Sequence, residues 1–470
     1  MFDVVFRGAR VIDPMNGFDA VADVAVKDGK IALVAPKIEE AGAKEYDYTG
    51  QVLQPGIIDP HVHIGSMYGS HYGHRMLAME GVTGCLDMAG PLNSILEESP
   101  EYGAGLNVAI LEAAYPPETI SCSEPDEKEI NEFIDRALDG GAFGVKLLGG
   151  HFPVRPDISA NFIRTAYEKG AYVAWHAGST EHGSNIEGML EAVDAAAGLP
   201  LHVAHINAYC RGAIMDCVEE TKVALQKLRD NPNILCESYL SPKNGTRLTL
   251  DANDQVLSKV TASCLTRYGF TADRDGMKKA FLAQHASVNY DAGGYTALLT
   301  GQEGIDYWES QGTDVAGSFN VNPGIPRAWL AEAKREDGSF VVDAISTDGG
   351  VFTRNVILNN GLALVKMGVI TLPEFVVKTS LNPARMLRMT QKGHFTPGAD
   401  ADITVFNFET QKPVAAFVAG EPILINGEVV GKSATIICTK RGQAAVEARG
   451  LKTIVVDPAV PYTNRFVLKH

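Results

Sequence analysis

QPGIIDPHVHIG, residues Gln54–Gly65, decides how the rest of the chain is read. With the preceding Val52-Leu53 it forms an apolar run, Val52–Ile58, that reads as a strand. The run ends at Asp59-Pro60 and then presents His61 and His63. Residues two apart in an extended chain point the same way. The pair can therefore set two imidazoles on one side of a strand end, where a metal ion could use both. A lone His-x-His arises easily by chance, so its weight depends on the residues downstream of it.

Further apolar runs recur along the chain at the spacing of strand–helix units. They are GVTGCLDM (81–88), LNVAIL (106–111), GAFGVKLL (141–148), AYVAWHAG (171–178), LHVAHIN (201–207), ILCESYL (234–240) and DAISTDGG (343–350). Amphipathic stretches such as EKEINEFIDRALDGG and SNIEGMLEAVDAAAG lie between them. Eight such units close into a (β/α)8 TIM-like barrel, an α/β fold with its chemistry at the strand C-termini. Buried parallel strands should be almost continuously apolar. His63, Lys146, His176, His205 and Asp348 break that rule, and each falls at a strand's C-terminal end. Any one of them has a bland reading as a hydrogen-bonded or snorkelling side chain. Five at one face are hard to explain as packing.

The ends of the chain look different. Residues 1–54 read as short strands punctuated by Asn16-Gly17 and Asp28-Gly29 turns. Residues 386–470 return to short strands, among them ADITVFNF, TIICTK and TIVVD. The expected organisation is a small β-sandwich built from both ends (1–54 and 386–470) around a barrel at 55–385. A long insertion at about 241–340 interrupts the barrel. A connection of that length is usually functional or separately folded; lid, specificity wall and oligomer contact are all open.

Composition narrows the function classes. The chain has 470 residues, is 45% hydrophobic and 21% charged, and carries a formal net charge of -16. That charge disfavours nucleic acid and anionic membrane surfaces as partners and leaves a small-molecule substrate. The seven cysteines include no CxxC pair, which suits reduced thiols in a cytoplasmic protein. The N-terminus reads directly as a strand without a secretory pattern, and no long uncharged run suggests a membrane span. Phosphate-loop, dinucleotide-loop and serine-elbow motifs are missing from the sequence.

Over nearly its whole length the chain resembles the amidohydrolase superfamily of metal-dependent hydrolases. The resemblance rests on PGIIDPHVH, GVTGCLDM, Lys146 in GVKLL, His176, His205 and Asp348. It extends to NPARMLRM (382–389) and GHFTPGADADITVF (393–406). It implies a binuclear metal centre. His61, His63 and Asp348 would bind one ion, and His176 and His205 the other. Lys146, as a CO2-derived carbamate, would bridge them. Burial beside dications favours the neutral, reactive amine that such a carbamate needs. Imidazole and carboxylate donors suit Zn2+, with Mn, Fe, Co or Ni as alternatives. His202 competes with His205 within LHVAHIN; His205, nearer the strand's C-terminal end, is the expected ligand.

The chemistry implied is hydrolysis of a C–N bond by a hydroxide bridging the metals, with Asp348 as general base and then general acid. Within the superfamily the pattern looks like hydantoinases, dihydropyrimidinases and dihydroorotases, which open cyclic amides or imides. One departure stands out. Those enzymes commonly follow the catalytic Asp with His, whereas here Gly349-Gly350 follow Asp348, as in N-acyl-amino-acid deacylases and isoaspartyl dipeptidases. Arg211 and Tyr209, just beyond the sixth strand, and His151, after the fourth, are the candidates for substrate contact. Arg211 would hold a substrate carboxylate, although loop bracing is an equal reading for it. By family analogy a homodimer or homotetramer is expected.

Overall fold

In a computed structural model, which describes residues 1–461 and 465–468, eight parallel strands close into a barrel. In chain order they are β1 (Ile57–His63), β2 (Val82–Asp87), β3 (Asn107–Ala114), β4 (Gly144–Leu148), β5 (Tyr172–His176), β6 (Leu201–Val203), β7 (Ile234–Tyr239) and β8 (Ala344–Ser346). Ser346 ends β8 beside Tyr239 of β7, and the chain continues through Gly349-Gly350, which pair with Val62 and His63 of β1. That last step closes the cylinder. It also explains the two glycines: a Cβ on Gly349 would lie 2.1 Å from Asn355 Oδ1, and one on Gly350 would lie 2.2 Å from the His63 carbonyl oxygen. The β1 backbone thus excludes a side chain at Gly350, whose φ is +81°, whereas at Gly349, the position of the His in Asp-His, the crowding comes from the Asn355 and Thr347 side chains.

The run Val52–Ile58 is two strands rather than one. Val52–Pro55 belongs to the sandwich sheet, and Ile57 opens β1, which runs through to His63. The break falls at Gly56, where a Cβ would lie 2.2 Å from Thr83 Oγ1. Val52–Pro55 is also where the two ends of the chain meet: it pairs parallel with Phe2–Asp13 and antiparallel with Ile403–Asn407. Phe6, Leu53, Val405 and Phe417 share the sandwich core.

The sandwich does not extend to residue 470. Its last strand is Glu428–Val429. Thr435–Thr439 and Lys452–Val456, expected in the sandwich, instead form a parallel pair that joins the barrel sheet. The reason lies in β3. It pairs with β4 only from Leu111 onward, which leaves the edge of Asn107–Ala109 open on that side. Thr435–Ile437 fills that edge, and buried backbone polar groups need such a partner.

The insertion folds around a core of its own. Thr246–Arg247, Ala316–Phe319, Ala286–Asp291 and Thr296–Leu299 form a four-stranded antiparallel sheet. Helices Lys259–Arg267, Arg274–Leu282 and Gly301–Ser310 cover it, and Leu265, Phe281, Trp308 and Phe319 are buried between the layers. It leans on the loop after β1, where Tyr72 Oη donates to Asp291 Oδ2 at 2.9 Å. It also leans on the loop after β6, where Arg211 Nε donates to Asn322 Oδ1 at 2.7 Å. The insertion thus walls one side of the barrel mouth. Among the described residues no helix is long and apolar enough to cross a membrane.

Candidate active site

The strand ends bring His61, His63, His176, His205 and Asp348 to the mouth of the barrel. His63 Nε2 lies 3.1 Å and His61 Nε2 3.4 Å from the same oxygen, Asp348 Oδ1. These three residues can offer ligand atoms within 4.8 Å of one another. On the far side of His61, the His205 ring stacks at 5.1 Å between centroids, and His205 Nε2 faces His176 Nδ1 at 3.1 Å. His176 is held from outside by Ser184 Oγ at 2.8 Å from its Nε2. Lys146 is buried, and its Nζ donates to Met88 Sδ at 3.1 Å. Among the described residues no carboxylate lies within ion-pair distance of it. Burial lowers its pKa to about 8.

Backbone strain marks two of these residues. His205 has φ +39° and Asp348 has φ +52°, both left-handed conformations that cost energy for a residue with a side chain. At His205 this conformation ends β6 and turns the chain into Ile206–Tyr209. At Asp348 it carries the chain from β8 to the closing glycines.

The sequence reading missed Glu237, in the middle of β7. It is fully buried. Its Oε1 accepts from His61 Nδ1 at 2.7 Å and from the His205 backbone N–H at 2.5 Å, and its Oε2 accepts from Ser346 Oγ. Burial opposes its charge, but His61 and His202 outweigh that and hold the carboxyl well below its usual range. The bond fixes the His61 tautomer. Burial pushes the His61 pKa down to about 4, so the ring is neutral with its proton on Nδ1. A bare Nε2 lone pair then faces the Asp348 oxygen. Two lone pairs aimed at one point repel unless a cation lies between them, so the donor set fits a divalent ion. His63 Nδ1 and His205 Nδ1 are also buried, without hydrogen-bond partners among the described residues.

His202 lies deeper and does not join this group. Its Nδ1 meets Tyr172 Oη at 2.8 Å, and its Nε2 is 3.7 Å from Glu237. Asp59, also missed, ties β1 to β8 by accepting from Thr347 Oγ1 at 2.5 Å; burial raises its carboxyl to about 8.

The three proposed substrate contacts fare unequally. The His151 ring packs edge-on to His176 at 5.3 Å. Tyr209 is fully buried, its ring 5.5 Å from that of His205, and its hydroxyl accepts from the Ala177 N–H at 2.7 Å. Arg211 is a brace. It spans Asn322 and Tyr239 Oη (2.9 Å), and it borders a separate surface pocket of about 330 Å³ that contains none of the six candidate ligands.

The arginine at the mouth is Arg354, which sequence reasoning did not single out. It is only 3% exposed. Its Nη2 pairs with Asp348 Oδ2 at 2.8 Å, and its Nε donates to the Asp348 carbonyl. Its guanidinium carbon lies 5.2 Å from the ring centres of both Tyr239 and Phe352. Burial works against charge on Asp348, but Arg354 and the surrounding histidines overcome it and hold the carboxyl well below its usual range.

A closed parallel barrel with imidazoles and a carboxylate gathered at its mouth, beside a sandwich made from both chain ends, defines the class. Residues 318–431 match the Amidohydrolase family. The chain is 26% identical over 443 residues to a dihydroorotase of Pelotomaculum thermopropionicum, covering 87% of this chain and 90% of that one. It is 25% identical over 490 residues to an allantoinase of Deinococcus radiodurans, covering 91% and 97%. Its fold is shared with N-acyl-D-glutamate deacylase from Bordetella bronchiseptica at a TM-score of 0.64 and 14% identity, over 93% of this chain and 99% of that one. The family match is confined to residues 318–431, while the similarity to the dihydroorotase and the allantoinase runs over most of the chain.

Proposed function

We propose that the protein is a metal-dependent hydrolase that opens a C–N bond in a cyclic amide or imide, of the hydantoin or dihydropyrimidine kind. The observation that carries this reading is the convergence of His61 Nε2 and His63 Nε2 on Asp348 Oδ1, with the His61 tautomer fixed by Glu237. Similarity over 87% and 91% of the chain to a dihydroorotase and an allantoinase supports the ring-opening class. His61, His63 and Asp348 would hold one divalent ion, zinc by donor type, and His176 and His205 a second. Lys146, whose pKa burial lowers to about 8, would take up CO2 through the neutral fraction of its amine and serve both as a carbamate. Bound there, such ions supply an activated water and polarise the scissile carbonyl.

The chain's own groups do the remaining work. Asp348 carries the proton from the attacking water to the leaving nitrogen. Arg354 keeps that carboxylate anionic beforehand, which makes it a weak base and an effective acid on the return step. Glu237 keeps the His61 ring oriented.

A second reading, hydrolysis of a linear N-acyl amino acid, rests on Gly349-Gly350 following Asp348. Metal-restored protein should be assayed against a panel of cyclic imides and a panel of N-acyl amino acids. Turnover confined to the first supports ring opening, and turnover confined to the second replaces it. Turnover of neither, with metal bound, contradicts both.

A further inference from the structure

The His176 ring is gripped on the edge that faces away from the histidine cluster. Its Nδ1 looks inward, 3.1 Å from His205 Nε2, and its Nε2 looks outward to Ser184 Oγ at 2.8 Å. A neutral imidazole carries its proton on one nitrogen and a lone pair on the other, and a hydroxyl can pair with either. The two arrangements differ at the mouth. With the proton on Nε2, donated to Ser184, Nδ1 offers a lone pair beside His205 Nε2, and an ion can sit against both rings. With the proton on Nδ1, that nitrogen is closed to an ion.

The chain around Ser184 holds its hydroxyl at this outer edge. A Cβ on Gly150 would lie 2.1 Å from His176 Nε2, so the loop after β4 presses directly on the same edge of the ring. A Cβ on Gly149 would lie 1.9 Å from the Gly178 carbonyl oxygen, so the loops after β4 and β5 meet backbone to backbone. Ser184 is fastened through residues on both sides of it. His182 Nδ1 meets Glu191 Oε2 at 2.6 Å, and Asn185 caps helix Ile186–Ala195 by accepting from the Gly188 N–H at 3.1 Å. Ser179 Oγ accepts from the N–H groups of Glu181 and His182, which closes the loop on itself.

From this geometry we infer that Ser184 is a positioning residue. Its hydroxyl accepts the Nε2 proton of His176 and so commits Nδ1 to the second divalent ion. The inference rests on the two-metal reading above and deepens it, because it makes the loop after β5 decide how firmly that ion is held. Ser184 acts only through His176, and the ion against His61, His63 and Asp348 depends on it little.

The test uses the full-length protein loaded with zinc in bicarbonate buffer and two variants, Ser184→Thr and Ser184→Val. Their side chains match in shape and differ in the hydroxyl, so a packing role would move both alike. In competition with a chelator, the wild type and Ser184→Thr should bind two zinc ions with similar affinities. Ser184→Val should bind one of the two about tenfold more weakly and the other unchanged. Nitrogen NMR of the histidine-labelled, zinc-loaded wild type should show His176 bound through Nδ1 and protonated on Nε2. Equal affinities in the Thr and Val variants, or His176 bound through Nε2, overturn the inference and leave the two-metal reading standing. A wild type that binds fewer than two zinc ions overturns both. Should Ser184→Val fail to fold, the NMR assignment of the wild type decides the inference alone.

Discussion

The two ends of the barrel both bury charge, but they use it differently. At the N-terminal end Lys392 and Arg465 each meet a buried carboxylate. Lys392 Nζ sits 2.5 Å from Asp402 and 2.9 Å from Asp400, while Asp402 also accepts from Asn107 and from the Ala419 N–H. Arg465, near the chain's end, is clamped by Asp343 at 2.6 Å. At the C-terminal end, His63 Nδ1, His205 Nδ1 and Arg354 Nη1 are left without partners, and His205 and Asp348 hold left-handed backbones. Burying polar groups is costly at either end. The lower end recovers much of that cost in ion pairs, of which Asp402 also ties Asn107 of the barrel to Ala419 of the sandwich. The upper end leaves part of it unrecovered, as expected where the missing partners are ions and substrate.

Substitutions at the two ends should therefore separate function from stability. The largest effect belongs to the mouth: Asp348→Asn and Lys146→Ala should each lower kcat by about 10³-fold or more while the folded structure persists. Near-normal turnover in either variant, with metal bound, would remove the roles assigned to them. Next comes the lower end. Asp402→Ala leaves the Lys392 ammonium with Asp400 alone and unpairs Asn107 and the Ala419 N–H, and it should cost about 3 kcal/mol of stability in denaturant titration. Activity per folded molecule should hardly change, and a loss there would blur the distinction between the ends.

Glu237→Gln should fall between these extremes. It keeps the packing but weakens the hold on His61, so metal affinity should drop by about 10- to 100-fold in competition with a chelator. An unchanged affinity would make Glu237 a packing residue. Smallest of all, Arg211→Ala should cost about 1 kcal/mol through lost bracing of the insertion. Turnover should hardly change, and a collapse of turnover at unchanged stability would give Arg211 a role in binding substrate.

How legible each part was in the sequence depends on how local its cause is. His61 and His63 could be read because their shared direction is a property of two residues in one strand. Lys146 and Asp348 stood out as polar breaks in apolar runs, and the split sandwich as two β-rich ends. Glu237 carried the same kind of signal within ILCESYL, but its meaning lies in His61, 176 residues away. Arg354 offered no signal, since its importance comes from the turn at Asp348 that folds the chain back on itself. The placement of Thr435–Thr439 was equally hidden, because the open edge it fills is set by the register of β3 on β4. Patterning shows which residues are buried; it does not show which strand edge remains unpaired.

The central claim is that six side chains, from His61 to Asp348, enclose divalent ions. Crystals of the protein loaded with zinc, measured for anomalous scattering at the zinc edge, test it directly. The account predicts two peaks, one against His61, His63 and Asp348 and the other against His176 and His205, with extra density on Lys146. Zinc bound only elsewhere, or a mouth free of anomalous signal at full loading, would contradict it.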